Sequence, residues 1–166
     1  MSQKTKTIDA KTLKRQQIEK NNAFNRFMLF RYSLAIFFFA NLYWLLILAY
    51  KTSFLMLAPT LLLFLQILAC SEQVRLYGNK VVRLKQTKLA LQAQGIINLV
   101  LLVLLSFNFG RVVFPIFSDQ WQARLFLIGL QMLGLILIRI NLHRITEIKE
   151  DRDTYYHRFQ KIQQFY

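Results

Sequence analysis

One cysteine, Cys70, is all the thiol chemistry in the sequence, which excludes an intrachain disulfide framework, a C-x-x-C redox pair and a thiolate metal cluster. Histidine is nearly as scarce. His143 and His157 stand fourteen residues apart, and no carboxylate–histidine pair has metal-ligand spacing. Asp and Glu number eight against 22 Lys and Arg, and none falls inside a long apolar run. Proton-coupled transporters and many cation pathways depend on an acid within the membrane, so this gap weighs against both. A Gly-rich phosphate loop, a G-x-S-x-G elbow and the acidic clusters of metal-dependent headgroup transferases are absent as well. The expectation is a chain without catalytic groups, and no metal or cofactor is implied.

What is plentiful is apolar and basic. Hydrophobic residues make up 55% of the 166, and the formal charge is +14. In a soluble domain that pairing would suggest nucleic-acid binding. Here the two properties occupy different stretches, the mark of a membrane protein with basic flanks. Nothing supplies an element that could read nucleic acid, so that partner is excluded.

A spanning helix needs about 20 largely apolar residues, and four stretches qualify: 32–50, 53–70, 89–109 and 122–142. Only Lys51 and Thr52 separate the first two, which predicts a tight hairpin. Pro59, about two turns into the second, is a candidate kink. The tail 1–31, the connection 71–88 and the chain from Arg139 onward carry nineteen basic residues. Lys51, Arg111 and Arg124 are the three on the other side. By the positive-inside rule both termini and the 71–88 hairpin are cytoplasmic, and 110–121 is external. With no early h-region and no A-x-A-like site, the first span is expected to serve as its own insertion signal. The fold class expected is therefore an all-α integral membrane protein, with four antiparallel transmembrane helices, N-in and C-in, and helices extending into the cytoplasm.

Helical spacing runs past the membrane. Val74, Tyr77, Val81 and Leu84 keep it after the second span, interrupted by Gly78-Asn79, a turn signal. In 143–166, Ile145, Ile148, Arg152, Tyr155, Phe159, Ile162 and Tyr166 alternate separations of three and four, an amphipathic stripe on a helix continuing from the fourth span. Packing against the 71–88 hairpin, docking on a partner or a dimer mate, and lying on the membrane surface all suit it. The candidate partner-binding residues are Ile148, Tyr155, Phe159, Ile162 and Tyr166. The basic N-terminal tail, helical from about Lys11, suits an anionic inner leaflet, which attracts each Lys or Arg by about 1 kcal/mol.

Within the spans the notable side chains are neutral amides. Counted from the external ends, Asn41, Asn98 and Gln131 lie near the middle, with Gln66, Gln92 and Gln94 deeper toward the cytoplasm. A buried amide seeks a partner on another helix, so these are candidates for interhelical bonding or for a polar cavity. Arg139 sits about one turn inside the cytoplasmic boundary. Its expected role is a snorkelling anchor, and the alternative is a basic site turned inward to the glutamines. The polar layer to be located is therefore Asn41, Gln66, Asn98, Gln131 and Arg139.

The first span lacks the glutamate on which small four-helix multidrug exporters rely. The leading expectation is a non-catalytic accessory or regulatory subunit of a bacterial cytoplasmic-membrane complex, acting through its cytoplasmic helices with a membrane-protein partner. The alternatives are a homo-oligomer, and a small oligomeric transporter or channel using the amide layer and Arg139.

Overall fold

A computed structural model describes residues 27–50, 54–76, 84–107, 109–115 and 120–150. Every element among them is helical. Helix α1 spans Phe27–Ala49. A 3-10 turn, Phe54–Met56, leads into α2, Leu57–Arg75. Then come α3, Lys85–Ser106, the single turn α4, Gly110–Val113, and α5, Trp121–Lys149. Four helical segments, of 23, 22, 22 and 29 residues, are long and apolar enough to cross a membrane.

Their polarity is reversed relative to a water-soluble bundle. Large apolar side chains such as Ile36, Leu61, Phe64, Ile96 and Leu133 face outward. Asn41, Gln66, Gln94, Asn98, Gln131 and Asn141 are buried. Soluble monomers rarely expose a continuous apolar surface of this kind, whereas lipid solvates one freely.

Each helix buries one stripe. On α2 it is Pro59, Leu62, Gln66, Ala69 and Gln73, separated by three and four in turn. On α3 it includes Thr87, Leu91, Gln94, Asn98, Leu101 and Leu105. Such spacing lets side chains interlock between helices crossing at shallow angles. α3 packs on α2 and α5. α1 reaches α2 and α3 through Leu34, Ala69 and Ala90, and bonds to α5 through Ser33 and Asn141. One core cluster gathers Phe27, Phe30, Leu76, Leu84, Ile145 and Ile148. Another holds Trp44, Leu48, Leu105, Val113, Phe114 and Leu127.

Several sequence expectations shift at this level. The described part of α1 opens with Phe27 and Phe30, both core residues, ahead of the apolar run that starts at 32. α3 begins at Lys85, ahead of the apolar run that starts at 89, and brings Thr87 into the core. Pro59 is the third residue of α2, in a first turn whose amides have no intrahelical acceptor, so it removes no bond from that helix. Single small residues mark close approaches between helices: Ala69 and Ala90 beside Leu34, and Gly134 beneath Asn98. The N-terminal tail and the Gly78-Asn79 turn lie outside the described residues.

The start of α3 is capped from another helix. Glu72 on α2 accepts hydrogen bonds from the backbone N–H of Gln86 at 3.2 Å and of Thr87 at 2.7 Å, and from the Thr87 hydroxyl at 2.8 Å. Gln73 donates to that hydroxyl at 2.9 Å. A carboxylate at a helix N-terminus satisfies orphan donors and meets the positive end of the helix dipole. Glu72→Ala is expected to lower stability by about 1–2 kcal/mol, read as a fall of a few degrees in the melting midpoint. Replacing the neighbouring, exposed Ser71 should leave the midpoint unchanged.

Candidate functional site

The sequence separates the membrane amides into two levels; the folded chain makes one network of them. Gln94 on α3 is its hub. Its Oε1 accepts from Asn41 Nδ2 on α1 at 2.7 Å and from Gln66 Nε2 on α2 at 3.0 Å. Its Nε2 donates to Asn98 Oδ1 one turn along α3 at 2.9 Å. All four side chains are at least nine-tenths buried. Gln92, two residues from Gln94, is exposed, since two residues advance a helix by about 200° and turn the side chain to the opposite face.

The hydrogen bonds orient every amide. Because Gln94 Oε1 serves as acceptor twice, Gln94 has only its Nε2 for Asn98, and Asn98 answers with its oxygen. The Asn98 Nδ2 donor is thereby turned away from the hub. It lies against Gly134 of α5, so close that a Cβ on that residue would stand 2.6 Å from it. Glycine at 134 is what lets the amide and α5 share this space.

Beside the network is a groove of about 490 Å³ between α1, α3 and α5. Asn41, Asn98 and Gln131 contribute to its floor, with Phe37, Trp44 and Phe114 among its walls. Trp44 Nε1 donates to the Val113 carbonyl at 3.1 Å, and its ring stands 6.1 Å from Phe114, centroid to centroid. Gln131, 8% exposed, makes no hydrogen bond to any described residue. The outer rim is formed by Ile36, Leu133, Ile136 and Ile140, side chains that also belong to the exposed apolar surface.

A second polar contact ties α1 to α5: Asn141 Nδ2 donates to Ser33 Oγ at 2.8 Å and to the Leu137 carbonyl at 2.7 Å.

Of the polar layer expected from sequence, Asn41, Gln66 and Asn98 meet through Gln94, and Gln131 joins Asn41 and Asn98 at the groove. Arg139 is apart from them, on an exposed face of α5. Ile148 is buried in the protein's own core, and Tyr155, Phe159, Ile162 and Tyr166 lie outside the described residues. His143 and Glu147 form an exposed pair at 3.4 Å, one turn apart on α5. Cys70 is exposed.

No family model, no curated protein and no solved structure matches this chain.

Sequence reasoning missed the hub role of Gln94, the Asn141–Ser33 bond and the Glu72 cap. For Gln94 a signal was present. It keeps helical spacing with Leu91, Asn98 and Leu101, so an amide in phase with leucines marks a core position as surely as another leucine would. For Glu72 no local pattern existed, because its partners are backbone amides on another helix.

Proposed function

We propose that this protein is a non-catalytic accessory or regulatory subunit of a cytoplasmic-membrane complex, its four helices alternating in direction and both termini cytoplasmic. The nineteen-to-three division of basic residues supports that orientation. Alternation is supported by the core clusters, which pair the start of α1 with the ends of α2 and α5, and the end of α1 with the end of α3 and the start of α5.

The observation carrying the functional reading is the course of α5. It continues unbroken for 29 residues, and its last turns are held by Ile145 and Ile148 against Phe27, Phe30, Leu76 and Leu84. Ile148 thus anchors the helix rather than meeting a partner. The sequence beyond it continues the same spacing with Tyr155, Phe159, Ile162 and Tyr166, and these are the residues proposed to engage the partner. A transporter using one polar path would require Arg139 to join the amides, and its exposed position speaks against that path.

The test is truncation after Glu150, which keeps both anchoring isoleucines. Full-length tagged protein, purified in mild detergent, is expected to bring down a stoichiometric membrane-protein partner identified by mass spectrometry. The truncated protein should insert and melt as before and lose that partner at least tenfold. A homogeneous homo-oligomer with no partner, unaltered by the truncation, would overturn the proposal.

A further inference from the structure

The groove between α1, α3 and α5 has the features of a site rather than of a packing fault. Its volume, about 490 Å³, falls within the range of small-molecule pockets. Its floor is polar and its walls apolar. Two floor side chains have groups left over: Asn98 Nδ2, turned from the Gln94 hub toward Gly134, itself a lining residue, and the whole Gln131 amide. Both residues are more than nine-tenths buried. No charged side chain is among the described residues lining it.

These features specify an occupant. Asn98 lies about 20 Å from the start of α3 and about 12 Å from its end, so the floor is deep within the span. A charged group would enter that depth without a counterion, at a prohibitive desolvation cost. A neutral group presenting a hydrogen-bond acceptor would meet the Asn98 and Gln131 donors. The groove borders residues 36–44 of α1 and 130–140 of α5, a length of about 12–15 Å. A partner's transmembrane helix would need a channel matching the roughly 30 Å hydrocarbon thickness. A compact ring fits the available length, and the exposed Ile36, Leu133, Ile136 and Ile140 rim provides an apolar exit for a tail.

From this geometry we infer a binding site for a neutral lipid whose head is a compact carbonyl-bearing ring and whose tail leaves the groove between α1 and α5. The acceptor oxygen takes hydrogen bonds from Asn98 Nδ2 and the Gln131 amide, and the ring packs beside Trp44 and Phe114. The inference is independent of the subunit proposal, since it concerns the bundle alone.

Trp44 provides the measurement. The chain has two tryptophans, Trp44 and Trp121, so full-length protein carrying Trp121→Phe reports from the groove wall only. In nanodiscs this protein is titrated with a decyl-tailed benzoquinone, a neutral carbonyl ring that quenches indole fluorescence. Saturable quenching is expected, with decylbenzene, which keeps the tail and lacks the carbonyls, failing to compete. Gln131→Leu should weaken binding about tenfold, as for the loss of one buried hydrogen bond. Ala40 of α1 is exposed and also lines the groove, so Ala40→Phe fills it without replacing a member of the amide network, and should abolish saturation at an unchanged melting midpoint. Quenching that stays linear, or that neither variant alters, would overturn the inference. Equal competition by decylbenzene would do the same, because it would remove the role of the amides. So would a dimer in the untreated protein that Ala40→Phe dissociates, which would assign the groove to a second copy.

Discussion

Gln94→Leu is expected to destabilise the detergent-solubilised protein by about 2 kcal/mol, since a buried amide hydrogen bond in a membrane bundle contributes about 0.6 kcal/mol, and Asn41 and Gln66 on neighbouring helices and Asn98 one turn away all lose theirs at once. For a chain of this size that corresponds to a fall of roughly 4–8 °C in the melting midpoint. Leucine occupies a similar volume, so the effect measures the orphaned amides of Asn41, Gln66 and Asn98 rather than a cavity. Gln92→Leu is the control. It removes the same functional group two residues away on an exposed face, and should change the midpoint by no more than the scatter of surface substitutions, about 0.5 kcal/mol. A further variant carrying apolar residues at Asn41, Gln66, Gln94 and Asn98 together should recover much of the loss. Removing every member of a polar network costs less than removing its hub. If Gln94→Leu melts with the wild type, the amides do not couple α1, α2 and α3, and the orientation of Asn98 toward the groove loses its cause.

Truncating Ile145 to alanine should cost about 2–4 kcal/mol, the range for a fully buried isoleucine whose surroundings collapse only in part. Ile145 is 1% exposed and Ile148 6%, so Ile148→Ala should cost somewhat less. The change should be local before it is global. Released from Phe27, Phe30, Leu76 and Leu84, the last turns of α5 should open to trypsin at Arg144 and Lys149 several times faster than in the wild type. Val74→Ala, at an exposed position on α2, should alter neither the midpoint nor the cleavage rate. This experiment bears directly on the subunit proposal. If the end of α5 is held as described, partner binding should weaken in Ile145→Ala even though every residue beyond Glu150 is intact. A partner retained at full strength while cleavage accelerates would show that the anchor and the partner surface are unconnected.

The amides illustrate where sequence reasoning stops. Depth along a span can be counted, and the count placed Asn41, Asn98 and Gln131 near the middle. Rotation about the helix axis decides whether a side chain meets a neighbour, and Gln92 and Gln94 show how little sequence separates the two outcomes. Arg139 was expected as a snorkelling anchor or as a basic site among the glutamines; its position on an exposed face rather than beside them is a property of how α5 is turned against α3. Ile148 was expected to meet a partner, because spacing alone does not say what covers a stripe. That Ile145 and Ile148 are buried against the protein itself depends on where Leu76 and Leu84 lie.

Composition and periodicity by themselves determined the helical class and the four apolar segments long enough to cross a membrane, because those properties follow from the backbone's need to satisfy its own hydrogen bonds in lipid and from the length of the span. The seam of each helix was also encoded, in residues three and four apart. Only the tertiary structure decided which seams meet. It set Gln94 as the hub, turned Asn98 Nδ2 toward Gly134, and brought Glu72 over the start of α3. The physical reason is that lipid gives helices no hydrophobic incentive to associate. Register is therefore settled by a few hydrogen bonds and close approaches between residues as distant in sequence as Ser33 and Asn141.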